Sequence, residues 1–206
     1  MIKIWGRRTS SNVQKVLWCC DELELDYEQV DVGGPFGGTA TSEYRKLNPN
    51  GLVPTIEDGG FVLWESNAIL RYLADKYGAG RLSPATPEGR AEADRWMCWE
   101  QSTLTPAVWP VYFSMVRMPE KKRDPEVLAR DIEAAVETLE ILDRHLAGRA
   151  HVAGAEFSLG DIPAGIWTHR WFALPIERPA QPNLEAWYER LKERAAYRKH
   201  VMVELS

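Results

Sequence analysis

Residues 48–70 constrain the fold more than any other stretch of the chain. Two apolar runs, Val53–Ile56 and Phe61–Trp64, flank the turn residues Asp58-Gly59-Gly60. Apolar runs separated by a short, glycine-containing turn predict a β-hairpin. The pair Glu65-Ser66 follows directly and precedes a helical pattern of apolar residues. This places a carboxylate and a hydroxyl at a helix N-terminus, where unpaired N–H groups and the helix dipole attract anions.

The residues before this hairpin predict a compact α/β unit. Ile2–Trp5 and Tyr27–Val32 read as strands, and between them Val13–Leu23 carries apolar side chains at a period near 3.6, which is typical of a helix. A strand, a helix and a strand joined so closely predict a parallel βαβ unit. With a short helix at 43–47, the predicted order is β-α-β-α-β-β-α, and this domain covers residues 1–78.

The composition changes after this unit. Residues 79–87 are rich in glycine and proline and are predicted to form a linker. No convincing strand pattern follows, so residues 88–206 are predicted to form an all-helical domain. Its main helical patterns cover residues 88–117, where Pro106 and Pro110 are expected to interrupt or kink the helix, 126–147 and 183–197.

A further helix start is predicted near the end of the chain. Ser158 is expected to be the N-cap and Asp161 the third helical residue of a capping box. The match to this motif is partial, because the third position carries Asp in place of the usual Glu.

Composition excludes several functional classes. The chain has 206 residues and a net charge of -5 with mixed signs. A broad basic surface of the kind that binds nucleic acid is therefore not predicted. No run of about 18 apolar residues occurs, so no membrane span is predicted. Met1–Trp5 lacks the layout of a signal peptide. The three cysteines do not form a disulfide framework, which favours a cytoplasmic protein. The four histidines lack metal-ligand spacing, so no metal site is predicted.

The order of elements and three motifs resemble the cytosolic glutathione S-transferases. The motifs are Asn48–Thr55, Glu65–Leu73 and Ser158–Ile162, and the resemblance covers nearly the whole chain. It implies a thioredoxin-like domain that binds glutathione, followed by a helical domain that contributes the pocket for a small hydrophobic electrophile. It also implies activation of the glutathione thiol as a thiolate, a homodimer and no tightly bound cofactor. The nearest match is to serine-type members, the theta-, delta- or bacterial nu-like enzymes.

The resemblance also assigns residues that hold glutathione. It implies that Pro54 is cis and that the main chain of Val53 pairs with the cysteinyl part. Glu65 and Ser66 match the pair that holds the γ-glutamyl ammonium and carboxylate, which suits their chemistry. Phe36 lies in a glycine-rich loop that, by resemblance, passes near the glycyl end. Ordinary helix capping is the alternative role for Glu65 and Ser66.

The resemblance places the thiol-activating group just after the first strand. A free thiol has a pKa of about 8.5, so a hydrogen-bond donor is needed to favour the thiolate at neutral pH. Residues 6–16 contain no Tyr and no Cys, which leaves a hydroxyl. By resemblance, Ser10 occupies the position of the theta- and delta-like serine, and Asn12 that of the nu-like asparagine. Thr9 and Ser11 stay open, and any of these hydroxyls could instead cap the helix that follows.

The resemblance places the electrophile pocket between the two domains. Most of the nine tryptophans should be core residues, but some aromatic side chains could line this pocket. The candidates are Trp5, Trp109, Tyr112, Phe113 and Trp171. Arg7 and Arg8 are expected to be solvated surface residues, and the alternative is that they add positive potential near the site. Two alternative functions stay open: glutathione-dependent disulfide reduction, which Asn12 favours, and non-catalytic binding of glutathione or a hydrophobic ligand.

Overall fold

A four-stranded mixed sheet organises the first domain in the computed structural model, which describes residues 1–205. The strands are β1 (Ile2–Trp5), β2 (Tyr27–Val30), β3 (Thr55–Asp58) and β4 (Phe61–Trp64). Their spatial order is β2-β1-β3-β4, with β1 parallel to β2 and antiparallel to β3. The predicted hairpin is confirmed, because β3 and β4 pair antiparallel.

Three helices complete this domain: α1 (Ser11–Glu22), α2 (Ser42–Leu47) and α3 (Ser66–Tyr77). The order β-α-β-α-β-β-α is the predicted one. Alternate β1 residues, Ile2 and Ile4, are buried in a core that also contains apolar residues of α1 and α3.

The remaining chain is helical, as predicted. Its helices are α4 (Pro87–Trp99), α5 (Thr105–Tyr112), α6 (Pro125–Leu146), α7 (Asp161–Phe172), α8 (Pro182–Lys192) and α9 (Ala195–His200). The predicted linker, 79–87, lies largely between the end of α3 and the start of α4, and the domain boundaries themselves stay a prediction. None of the helices within residues 1–205 has both the length and the apolar character needed to cross a membrane.

Two of the predicted helices are divided. The chain stays helical from α4 to α5 through a π-helical turn at Glu100–Leu104. Pro106 follows directly after this turn, and Pro110 lies inside α5. The predicted helix over 183–197 is two helices, α8 and α9. The turn between them places Arg194 against Glu22 of α1, with Nη2–Oε2 and Nε–Oε1 distances of 2.6 and 2.8 Å.

Asp161 accepts more hydrogen bonds at the start of α7 than the predicted capping box would give it. Its Oδ2 accepts hydrogen bonds from the N–H (2.9 Å) and hydroxyl (3.2 Å) of Ser158. The N-cap, however, is Gly160, whose N–H donates to the Ser158 hydroxyl at 3.3 Å. The other carboxylate oxygen accepts from the N–H of Val152 and from the indole of Trp187, both at 3.0 Å. These tertiary contacts have no signature in local spacing.

Helix α1 is buried on all sides, whereas its periodicity predicted one apolar face. Every residue of Val13–Cys20 is buried, including a lysine. Helix α3 packs on one side, and α7 and α9 of the helical domain pack on others. The Nζ of Lys15 lies 2.8 Å from Oε2 of Glu100, and both side chains are buried. The N-terminus of α1 is therefore held by both domains.

Candidate functional site

Two helix N-termini meet beside the end of β1. Ser66, the first residue of α3, donates a hydrogen bond from Oγ to Oδ1 of Asn12 in the first turn of α1, at 3.2 Å. Neither helix has an acidic residue in its first turn. The N-cap residue of α1 is also uncharged, so the positive end of its dipole is not compensated by an acidic side chain and favours a bound anion.

Gly6 makes this close approach possible. Its φ is +152°, and a Cβ at this position would lie 2.3 Å from Cγ2 of Val13 and 3.3 Å from Cβ of Val53. Only glycine therefore fits between α1 and the loop that carries Val53. Gly6 is not among the site residues predicted from sequence, although a glycine between a strand and a helix was the available signal.

A cavity of about 370 Å³ opens between the domains at the N-terminus of α1, and we call it the interdomain cavity. The first domain contributes Arg7, Ser10, Ser11 and Asn12. The helical domain contributes Thr105, Trp109, Arg117, Trp167 and Arg170. The cavity exists only where the two domains pack together.

Ser10 is the N-cap residue of α1, but its hydroxyl makes no capping hydrogen bond. Its carbonyl accepts the first helical bond, from the N–H of Gln14 at 2.9 Å. Ser11 also lines the interdomain cavity, whereas Thr9 does not. The carbonyl of Thr9 accepts a 3.0 Å hydrogen bond from Nη2 of Arg170. Of the three candidate hydroxyl residues, Ser10 thus combines an uncommitted hydroxyl with the N-cap position.

Three arginines give the cavity a concentrated positive charge. Arg170 is only 4% exposed. Burial lowers the pKa of its guanidinium to about 10, with further lowering by Arg117 and Arg7 against an opposing effect of Tyr112. Burial, and then Arg117, also lower the pKa of Arg7. The expectation that Arg7 is a solvated surface residue is therefore wrong, because it lines the cavity among like charges that a bound anion would relieve.

The predicted pocket aromatics of α5 and the turn after it lie at or beneath the cavity. Trp109 lines it, and the ring of Phe113 packs against Trp109 with centroids 5.8 Å apart. Tyr112 is fully buried, and the guanidinium of Arg170 lies 4.7 Å from its ring centroid.

The other two predicted pocket residues lie elsewhere. Trp5 shares a sheet face with Lys3, whose Nζ is 5.5 Å from the indole centroid. Trp171 is fully buried in the core. One turn earlier on α7, Trp167 lines the cavity instead. Residues four apart share a helix face, so periodicity alone does not tell which tryptophan reaches the cavity.

Glu65 and Ser66 do not act as ordinary caps of α3. Glu65 is the N-cap residue, yet its carboxylate makes no capping bond. Its φ is +72°, a conformation that non-glycine residues rarely adopt and that is concentrated at functional sites. The hydroxyl of Ser66 is directed to Asn12 instead. The first N–H groups of α3 are thus left for another acceptor.

The loop beside these residues also presents main-chain groups. The Val53–Pro54 peptide bond is cis, and the N–H and C=O of Val53 have no hydrogen-bond partner within residues 1–205. Phe36 is 57% exposed in a short 3-10 turn. The turn packs against Arg7, because a Cβ on Gly34 would lie 2.9 Å from Cδ of that arginine.

The cysteines lie away from the cavity lining. Cys19 and Cys20 are buried in α1, and burial raises the pKa of both thiols, that of Cys20 to about 12. Such thiols are poor nucleophiles. Cys98 is exposed on α4. In the part of the chain that the structure describes, no group of three or more His, Cys, Asp or Glu side chains could hold a metal ion.

Comparisons with known proteins agree with this geometry. Residues 1–75 match the family model of the glutathione S-transferase N-terminal domain, and residues 125–190 match that of the C-terminal domain. Glutathione S-transferase GstB of Escherichia coli (strain K12) is 41% identical, with 100% of both chains covered. Glutathione S-transferase 3 of Zea mays is 33% identical, over 97% of this chain and 93% of the relative.

The solved structures include a similar fold with a ligand. The theta class glutathione S-transferase of Xanthomonas axonopodis pv. citri with glutathione bound has a TM-score of 0.95 and 48% identity, and the match covers 100% of this chain and 99% of that one. Similarity of sequence and fold over the whole length shows that this chain is a glutathione transferase and belongs to the glutathione S-transferase family.

Proposed function

We propose that glutathione binds with its sulfur at the N-terminus of α1, where the Ser10 hydroxyl stabilises the thiolate. The observation that carries this proposal is the uncommitted N-cap hydroxyl of Ser10 on the interdomain cavity. Only a few per cent of a free thiol is ionised at neutral pH. A hydroxyl donor, a helix end without acidic residues and the nearby charges of Arg7 and Arg170 all favour the anion.

The rest of the tripeptide is held by the neighbouring loop and helix. The free main-chain groups of Val53 suit the cysteinyl part, and the Glu65 carboxylate suits the γ-glutamyl ammonium. The γ-glutamyl carboxylate fits Ser66 and the first N–H groups of α3. Phe36 would lie near the glycyl end. The similar Xanthomonas protein was solved with glutathione bound, which supports glutathione as the ligand.

The reaction is a nucleophilic displacement or addition by the sulfur. The thiol proton leaves to solvent, and the thiolate attacks an electrophilic carbon of a small molecule with an apolar body against Trp109. In a displacement, the sulfur–carbon bond forms while the bond to the leaving group breaks. Asn12 lines the same cavity beside Ser10 and is a further polar contact for the sulfur.

The absorbance of the thiolate of bound glutathione, measured against pH, tests the role of Ser10. In Ser10→Ala, we expect the thiol pKa to rise by about one to two units and turnover to fall about ten- to hundredfold, the range of a hydrogen bond to a charged group. The Kd for glutathione should change less than about twofold, because this hydroxyl favours one protonation state and does not hold the peptide.

Ser11→Ala is the matched control, because Ser11 lines the same cavity one residue further along α1. Its thiol pKa and turnover should remain those of the wild type. An unchanged thiol pKa and turnover in Ser10→Ala would remove Ser10 from the mechanism. Glutathione binding without any shift of the thiol pKa in the wild type would favour a non-catalytic binding protein.

Glutathione-dependent disulfide reduction is a second candidate, and Asn12 favours it. Its Oδ1 accepts a hydrogen bond from Ser66, its Nδ2 has no hydrogen-bond partner within residues 1–205, and the residue lines the cavity with Ser10. Turnover of a low-molecular-weight disulfide, compared with that of an aryl halide, separates the two reactions. Asn12→Ala should lower the first more than the second if reduction is the main activity.

We also propose that the protein is a cytoplasmic homodimer in which the first domain of one subunit meets the helical domain of the other. The exposed apolar side chains Leu52, Phe61 and Trp64 of the first domain support an interface there, with 65%, 49% and 36% of their surface accessible. The mass of the particle in solution, by light scattering, tests the dimer.

A further inference from the structure

The interdomain cavity has a chemical character that a hydrophobic electrophile alone does not need. We propose that the electrophile carries a carboxylate, which Arg117 and Arg170 recognise while its apolar body packs on Trp109. This inference rests on the proposed function, because it names the class of substrate that the same cavity accepts.

The first argument is the position of Arg170. Its guanidinium is buried, and both of its Nη2 hydrogen bonds go to neutral acceptors, the carbonyl of Thr9 (3.0 Å) and Oε1 of Gln14 (3.2 Å). Within residues 1–205, no carboxylate forms an ion pair with Arg170 or Arg7. A buried charge without a counter-ion is costly, so the cavity is built to receive an anion.

The second argument is that one thiolate does not use all of this charge. Arg7 lies on the glutathione side, where it packs against the turn that carries Phe36. Arg117 and Arg170 belong to the helical domain and line the same cavity. The cavity therefore presents three guanidinium groups to a single thiolate, and the planar donor pattern of a guanidinium matches a carboxylate.

The third argument is the arrangement of aromatic rings around these cations. The guanidinium of Arg117 lies 5.1 Å from the ring centroid of Trp109, and that of Arg170 lies 5.3 Å from that of Trp167. The two indole rings meet edge to face, with centroids 6.2 Å apart and an interplanar angle of 89°. An apolar surface and two oriented cations thus share one wall, which suits a flat molecule with one anionic group.

Two electrophiles that differ only in charge test the proposal. We suggest para-chloro-meta-nitrobenzoate and its primary amide, in which the thiolate displaces chloride by forming a carbon–sulfur bond. Each kcat/KM is divided by the uncatalysed rate constant with glutathione, which removes the difference in intrinsic reactivity. We expect the wild type to favour the carboxylate at least about tenfold, as for a charge-assisted hydrogen bond, and added salt to reduce this preference.

Arg117→Gln should abolish the preference, because it removes a charge that recognises the carboxylate. Arg117 is exposed, so its replacement leaves the core intact. The kcat/KM for the benzoate should fall about tenfold, and that for the amide should change less than about twofold. Arg117→Lys should recover part of the loss. Arg130→Gln is the matched control, since Arg130 is an exposed arginine on α6, outside the cavity lining, and both substrates should be unaffected.

The outcomes separate this inference from the proposed function. An equal loss for both substrates in Arg117→Gln would overturn the inference and assign the charge to the thiolate. A wild type that forms the thiolate but lacks a preference for the benzoate, or conjugates neither compound, also overturns it. In both cases the proposed function stands. Absence of a thiolate signal in the wild type would instead contradict the proposed function itself.

Discussion

Ser10, Glu65 and Ser66 stand at helix N-termini, yet none of their side chains caps its own helix. A capping hydrogen bond is typically worth about 1 kcal/mol, so both helices forgo stabilisation at these ends. Glu65 adds the strain of a positive φ, of about 1–3 kcal/mol. Residues that give up stability in this way leave N–H groups, a hydroxyl and a carboxylate available to a ligand.

Glu65 supports a prediction that is specific to one group of the ligand. In Glu65→Gln, we expect the Kd for glutathione, measured by calorimetry, to rise about ten- to hundredfold, because a charge-assisted hydrogen bond to the γ-glutamyl ammonium is lost. N-acetylated glutathione, which lacks that ammonium, should bind the variant and the wild type equally. Glu133→Gln, at an exposed position of α6, should leave both affinities unchanged. An equal loss for both ligands would contradict the assignment.

Single residues also show the limit of interpretation from sequence alone. The motif around Glu65 and Ser66 identified the residues that the structure now brings beside Asn12. The alternative that these residues only cap the helix was open in sequence, because a cap and a ligand-binding pair have the same residue types at the same positions. The structure shows that neither side chain forms a capping hydrogen bond, and side-chain hydrogen bonds of this kind depend on what packs nearby.

Among the elements, α1 departs most from its sequence pattern. Its apolar period of 3.6 correctly predicted the helix, but it predicted one buried face. The chain buries Gln14 and Lys15 as well, because α7 and α9 cover the side that would otherwise face solvent. The start of α7 shows the same limit, because the local motif at Ser158–Asp161 predicted a helix start but not the bonds of Asp161 to Val152 and Trp187.

Asp161 is the residue on which the start of α7 depends. Asp161→Ala would leave the N–H groups of Val152 and Ser158 and the indole of Trp187 without their acceptor. We expect the free energy of unfolding in urea to fall by at least about 3 kcal/mol. Asp161→Asn, which keeps one carbonyl acceptor, should be intermediate. The exposed Asp75 provides the control, and its replacement by Ala should cost less than about 0.5 kcal/mol.

At the scale of the whole molecule, the core is continuous from the sheet to the helical domain, with α1 in the middle. Polar contacts reinforce this joint: Lys15 with Glu100, Arg170 with Thr9, and Arg194 with Glu22. Glu100 also accepts a 2.7 Å hydrogen bond from Thr105, which lines the interdomain cavity. The two domains should therefore unfold in one cooperative transition, in which tryptophan fluorescence and circular dichroism coincide.

The buried ion pair between the domains allows a double-variant test. Lys15→Met leaves the Glu100 carboxylate buried without its cation, so we expect a loss of about 3–5 kcal/mol in the free energy of unfolding. The double variant Lys15→Met/Glu100→Met should recover most of it, because it replaces both charges with apolar side chains. A double variant no more stable than Lys15→Met would show that the pair holds the domains together by more than charge compensation.

The sequence by itself determined the order of elements, the hairpin, the helical second domain and the residues expected to hold glutathione. Turn residues, periodicities and short motifs carry this information because each extends over only a few neighbouring positions. Tertiary structure alone decided which of the candidate hydroxyl residues line the cavity, which tryptophan lines it and that arginines at positions 7, 117 and 170 surround it. Arg170 and Thr9 are 161 positions apart. Side chains so distant in sequence acquire a common function only when the packing of α1 between the two domains brings them together.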